Sequence, residues 1–118
     1  MLNYENSQHT FGVSEFGTNK DSLEYKYLYE MDVYHHIEKG ITYPSLLIKA
    51  GLNDARVDWW QPAKAVAKLQ DYAKQTNNIV LFKIHNSGHS GEPDIVAEES
   101  ENFSFLLWQL NHPKVKLK

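Results

Sequence analysis

SLLIKAGLNDARV, residues 45–57, is apolar at nearly every position up to Ala50 except Lys49, and turns polar from Gly51 onward. A run without strict alternation suits a strand covered on both faces better than a half-exposed one. Such strands belong to parallel sheets, and parallel neighbours need a helix to carry the chain back between them. The following residues supply one. Pro62 falls where a first-turn proline is tolerated, and Ala63, Val66, Ala67, Gln70 and Ala73 recur at i, i+3, i+4, i+7 and i+10. That spacing predicts a helix over residues 60–75 with one small, mostly apolar stripe. After a turn at Asn77 and Asn78, the run IVLFKI, residues 79–84, predicts a second buried strand, ending in the polar loop HNSGHSGEPD.

Strand, helix, strand is the βαβ pattern, whose crossover is almost always right-handed and brings both strand ends to the same rim of the sheet. Asp54 and His89, 35 positions apart (89 minus 54), then become spatial neighbours. In open α/β sheets that rim is where ligands and catalytic groups gather.

Working outward, Phe103, Leu106, Leu107 and Leu110 recur at helical spacing, with Glu98, Glu99 and Glu101 before them and lysines 114, 116 and 118 beyond, an order that suits the helix dipole. Towards the amino terminus, Asp21 or Ser22 is a candidate cap for a short helix ending near Glu30, with Glu24 three after Asp21 as in a capping box. Residues 1–20 show no sustained period and read as a structured loop. MDVYHHIEKGITYP, residues 31–44, reads as a connector with a stop at Gly40 and a strand opener at Pro44.

The length of 118 residues, with 42% hydrophobic and 13% aromatic content, allows one packed domain and is too short for two. Twelve basic and fifteen acidic residues give a net charge of -3, with no cationic face for a phosphate backbone, so nucleic acid is not an expected partner. No apolar stretch approaches the roughly 20 residues of a membrane span, and MLNYENSQHT lacks the apolar core of a signal peptide. Without cysteine there is no disulfide, thiol nucleophile or cysteine-based zinc site, a composition that fits cytosol and periplasm alike.

An Asp after one strand and a His after the next supply two parts of a nucleophilic triad: the carboxylate fixes the imidazole tautomer, and the far ring nitrogen takes a proton from a serine. The order Asp then His is that of α/β-hydrolases, in which the serine precedes both. Asp54 also suits a plainer role as a turn former, or Asp54 or Asp58 as the cap of the following helix, and His89 that of a solvated loop residue. His85 and His89 have the i, i+4 spacing of helical zinc ligands, with His35 and His36 available to complete a set. Asn86, Ser87 and Gly88 argue against a helix there, so neither a metal nor a cofactor is expected.

YPSLLIKAGLNDARVDWWQPAKAVAKLQ followed by SGHSG resembles the C-terminal part of the catalytic domain of the prolyl oligopeptidase family of serine peptidases, and SEFGT and YEMDVYHHIEKG are similar to the stretch leading into it. The resemblance implies an α/β fold, the C-terminal portion of an α/β-hydrolase sheet with parallel strands and flanking helices, and residues 1–118 as a single partial domain. It implies Asp54 as triad acid and His89 as triad base. Arg56 matches the arginine that holds a substrate backbone carbonyl, for which the plain reading is an ion pair with Asp54 or Asp58. Val57 matches an apolar residue lining the primary specificity pocket, for which the plain reading is packing.

Two departures qualify the resemblance. No serine lies in a G-x-S-x-G elbow, and Ser90, in GHSGE, lacks the required second glycine. The family's nucleophile, oxyanion donors and propeller domain lie upstream of the matching portion. The expectation is a carboxyl-terminal piece of a longer enzyme, inactive alone, which acts on short peptides when joined to the rest of its catalytic domain and, separated from it, self-associates. Aligning the family's aromatic-Gly pair to Phe16 and Gly17 puts Gly12 where prolyl-specific members carry a tryptophan, which argues against strict proline specificity. Glu15 suits an exposed loop position or, as in the similar oligopeptidase B branch, a preference for basic side chains. The alternative from a different class is a small non-catalytic α/β binding module with a self-contained sheet, or a fragment of an esterase-like α/β-hydrolase.

Overall fold

Leu46–Gly51 forms β1, and it pairs in parallel with β2, Val80–His85, in a register running from Leu46 opposite Val80 to Gly51 opposite His85. The computed structural model describes residues 5, 12–72 and 78–113. Among them the sheet has two strands, β1 and β2, and the crossover between them is carried by the helix α4, Trp60–Tyr72. Ahead of β1 lie α1 (Val13–Phe16), α2 (Ser22–Met31) and α3 (Val33–His36); after β2 comes α5 (Ile95–Gln109). The fold is α/β, with parallel strands flanked by helices. Ala73, Asn77 and the lysines at 114, 116 and 118 lie outside the described residues, as does half of the amino-terminal loop.

Period-two alternation divides the sheet's side chains between two layers. Leu46, Ile48 and Phe82 pack against the buried cluster of Ile37, Val66, Leu69 and Val80, which joins the sheet to α4 and to the segment after α3. The opposite layer carries Lys49 and Lys83, directly opposite each other in the register. Two like charges so placed would repel. Glu101 of α5 bridges the two, with its carboxylate 2.6 Å from Lys83 Nζ and 3.3 Å from Lys49 Nζ, and Glu98 supplies the second negative charge, its Oε1 3.8 Å from Lys49 Nζ, while Lys49 also donates to the Glu98 carbonyl at 3.3 Å. The lysine that interrupts the apolar run of β1 therefore anchors α5.

Several sequence expectations need correction. The strands are less covered than their composition suggested: β1 is half-buried up to Ala50, and Leu81 and Ile84 of β2 are exposed. The buried stripe of α4 has the expected period but a different phase. Val66 and Leu69 are buried and Ala65 and Tyr72 pack on the core, whereas Ala67 is exposed and Gln70, also exposed, reaches the sheet only through its Nε2, which donates to the Val80 carbonyl at 2.8 Å, because leucine and tyrosine bury more apolar area than alanine. Asp21 caps α2 through Leu23 and Glu24 N–H, but Glu24 turns away to accept from Thr18 N–H at 2.7 Å instead of closing a capping box. The connector contains α3, capped by Asp32, which accepts from Tyr34 N–H at 2.9 Å. Residues 13–16, read as loop, form the single turn α1.

The core makes a stability prediction. Leu69, 6% exposed, should cost about 2–5 kcal/mol on substitution by alanine. Leu106→Ala on α5, 51% exposed, should stay within about 0.5 kcal/mol. Denaturant midpoints at unchanged m-value check both.

Candidate active site

β1 and β2 end side by side at Gly51 and His85, so the loops that follow them start from a fixed separation. The acid loop turns back at once, with Asp54 N–H donating to the Gly51 carbonyl at 3.3 Å. The base loop runs through Asn86, Ser87 and Gly88 to His89. Across the gap His89 Nδ1 lies 3.0 Å from Asp54 Oδ2. A carboxylate only accepts, so Nδ1 carries the proton and donates, which leaves the Nε2 lone pair directed away from Asp54. Among the described residues Nε2 makes no hydrogen bond, and the ring is 48% exposed while the Asp54 side chain is 11% exposed.

Asp54 holds its position through its other oxygen. Oδ1 accepts from Arg56 N–H at 2.7 Å and from Val57 N–H at 3.0 Å. The turn-forming role and the imidazole-orienting geometry therefore coexist, one on each carboxylate oxygen. Burial is the largest single influence on this carboxyl and pushes its pKa up. The two backbone N–H groups, with the hydrogen bond and charge of His89, outweigh it and hold the pKa below the ordinary aspartate range. A depressed folded-state pKa contributes stability that is present above the unfolded-state value and lost as pH falls through the folded-state value. The difference in unfolding free energy between this protein and Asp54→Asn should accordingly shrink on acidification through that window; a difference independent of pH there would contradict the contacts at Asp54.

Arg56 is exposed and, among the described residues, forms no ion pair with Asp54 or Asp58, and Val57 is 41% exposed instead of packed into the core. Both stand on the same rim as the Asp54–His89 pair. Glu15 is exposed on α1, and Ser90 is exposed next to His89. The four histidines weighed as metal ligands have separate partners: His85 Nδ1 lies 2.7 Å from Ser87 Oγ, His89 meets Asp54, His36 Nε2 meets the Tyr29 carbonyl at 2.9 Å, and His35 Nδ1 is 3.5 Å from Asp32 Oδ2. Residues 86–88 are not helical, so the i, i+4 spacing of His85 and His89 does not give them a common face. What sequence reasoning missed is the set of contacts that joins the two loops: Asn53 N–H donates to the Ser87 carbonyl at 3.3 Å, and Asn53 Nδ2 donates to the Asn86 carbonyl at 2.7 Å.

The sequence matches the prolyl oligopeptidase family over residues 1–113. The chain belongs to that family. It is 31% identical over 104 residues to "Protease 2" of Moraxella lacunata, covering 86% of this chain and 15% of that protein. It is 30% identical over 99 residues to "Dipeptidyl aminopeptidase BI" of Pseudoxanthomonas mexicana, covering 81% of this chain and 14% of that protein. A solved chain from a structural study of two prolyl endopeptidases superposes with a TM-score of 0.77 at 30% identity, over 98% of this chain and 17% of that one. The prolyl oligopeptidase family is one of serine-type peptidases, and the chain spans about one seventh of the length of these relatives. No helix among the described residues is long and apolar enough to cross a membrane.

Proposed function

We propose that this chain supplies the acid and the base of a serine peptidase catalytic centre, Asp54 and His89, to a longer catalytic domain that hydrolyses bonds in short peptides. The observation that carries the reading is the 3.0 Å contact between Asp54 Oδ2 and His89 Nδ1 at the carboxyl ends of adjacent parallel strands, with Nε2 turned away from the acid. In the reaction Nε2 takes the proton of the attacking serine and returns it to the leaving amine, while Asp54 holds the Nδ1–H tautomer and stabilises the imidazolium. The exposed Arg56 guanidinium binds a backbone carbonyl of the peptide, and Val57 lines the pocket for the residue before the cleaved bond. The serine, the oxyanion donors and a propeller domain belong to the remainder of the longer protein, and residues 1–118 form one part of its catalytic domain. The apolar residues left exposed on α5 and β2 support that division, since a self-contained binding module would cover them.

An active-site serine probe tests the reading. The isolated 118-residue chain should not be labelled by a fluorophosphonate, whereas the full-length protein should be labelled at one serine outside this segment. Covalent labelling of Ser87 or Ser90 in the isolated chain would defeat it.

A further inference from the structure

We infer that Gly51 and Asn53 are positioning residues for the acid–base pair: they seat the Asp54 loop directly on the backbone of the His89 loop and so set the distance between the two side chains. This inference rests on the acid–base reading of Asp54 and His89. A Cβ added at Gly51 would lie 2.5 Å from the Ser87 carbonyl oxygen, 2.7 Å from the Gly88 carbonyl oxygen and 3.1 Å from His85 Cε1. The first two are backbone atoms, two residues and one residue before His89, and they have no flexible end with which to yield. Bringing the Ser87 contact from 2.5 Å to the 3.4 Å of ordinary van der Waals approach moves the base loop away by most of an ångström. A hydrogen bond of 3.0 Å does not survive such a displacement in that direction.

Three hydrogen bonds close the same seam. Leu52 N–H donates to the His85 carbonyl at 2.8 Å, extending the β1–β2 ladder by one step, and Asn53 then donates from its backbone to Ser87 and from its side chain to Asn86. Beside Gly51, its partner in the strand register, the buried His85 holds Ser87 Oγ at 2.7 Å from its Nδ1. The loop carrying His89 is therefore tied down by the buried imidazole of β2 together with the adjoining glycine and asparagine of the acid loop. Catalytic geometry of this kind is sensitive to displacements of about 1 Å. The seam acts through His89 and touches no substrate.

The test reads the dyad itself in the 118-residue chain, by long-range nitrogen–proton NMR of the His89 ring and by the titration midpoint of the Asp54 carboxyl. In the unaltered chain His89 should hold the Nδ1–H tautomer with Asp54 titrating below the ordinary range. Gly51→Ala should release His89 to the Nε2–H form and return the Asp54 midpoint towards ordinary values. Asn53→Ala, which removes only the side-chain bond to Asn86, should move both in the same direction by a smaller amount. Gly40→Ala is the control: its φ is +87°, so alanine is strained there, but a Cβ would meet nothing within 4 Å, and the tautomer should not change. If the unaltered chain shows the Nε2–H form, the acid–base reading fails and takes this inference with it. If the unaltered chain holds Nδ1–H and Gly51→Ala keeps it, the positioning role alone is overturned. Should Gly51→Ala lose its dispersed amide spectrum, Asn53→Ala decides, and an unchanged tautomer and midpoint there overturn the role.

Discussion

In the longer catalytic domain proposed above, His89→Ala is expected to lower peptide turnover by roughly four orders of magnitude, and Asp54→Asn by a similar factor, with the fold intact in each. The histidine change removes the group that, among the described residues, is held by Asp54 and able to accept a proton from a nucleophile. The asparagine change is more informative. Its carboxamide oxygen can keep the contacts from Arg56 and Val57 N–H, which leaves the NH₂ facing His89. Nδ1 must then accept, the proton moves to Nε2, and the ring loses the lone pair that catalysis needs. Neither side chain belongs to the core formed by Ile37, Val66, Leu69 and Val80, so circular dichroism at neutral pH should change little, and Asp54→Asn should lose there only the stability that the depressed carboxyl pKa contributes. Either variant retaining near-normal turnover would remove that residue from the mechanism.

The parts of this fold that were legible in the sequence are those where one period dominates and one physical effect decides. The apolar runs around residues 46–51 and 80–85 gave both strands within one residue, because a continuous apolar run between turn signals has few other uses in a chain this short. From those strands, the right-handed crossover alone was enough to bring Asp54 and His89 together. The phase of α4 was not legible, because Ala63, Ala67 and Ala73 mark a stripe in a hydropathy pattern but contribute little area. Leu69 and Tyr72, on the neighbouring stripe, decide which face is buried. The turn α3 was missed since four residues show no period, and its cap, Asp32, also closes α2. The seam at Gly51 was illegible for a different reason: it depends on two carbonyl groups 36 and 37 positions away in sequence, brought close only by strand register.

Concentration-dependent self-association of the isolated chain is the other large effect expected. Ile95, Val96, Phe103, Leu106 and Leu110 are all more than half exposed along α5, and Leu81 and Ile84 of β2 are about two-fifths exposed. Among the described residues α5 is held to the sheet through the largely covered Lys49 and through Lys83, whose exposed pair with Glu101 contributes little, and these polar contacts leave much of the helix's apolar surface uncovered. Of the residues that recur at helical spacing, Phe103, Leu106 and Leu110 therefore stand in water and Leu107 is half-covered. A two-stranded sheet also leaves an unpaired row of backbone groups on the outer side of each strand. Apolar surface and open edges both lower their free energy by meeting another copy, and the net charge of -3 is too small to oppose it. Light scattering coupled to size exclusion should show mass rising with concentration, and Phe103→Lys with Leu106→Lys should shift the population towards monomer without lowering the denaturant midpoint. A chain that stays monomeric as concentration rises, with slowly exchanging amides along both strand edges, would favour the self-contained binding module over a segment of a larger catalytic domain.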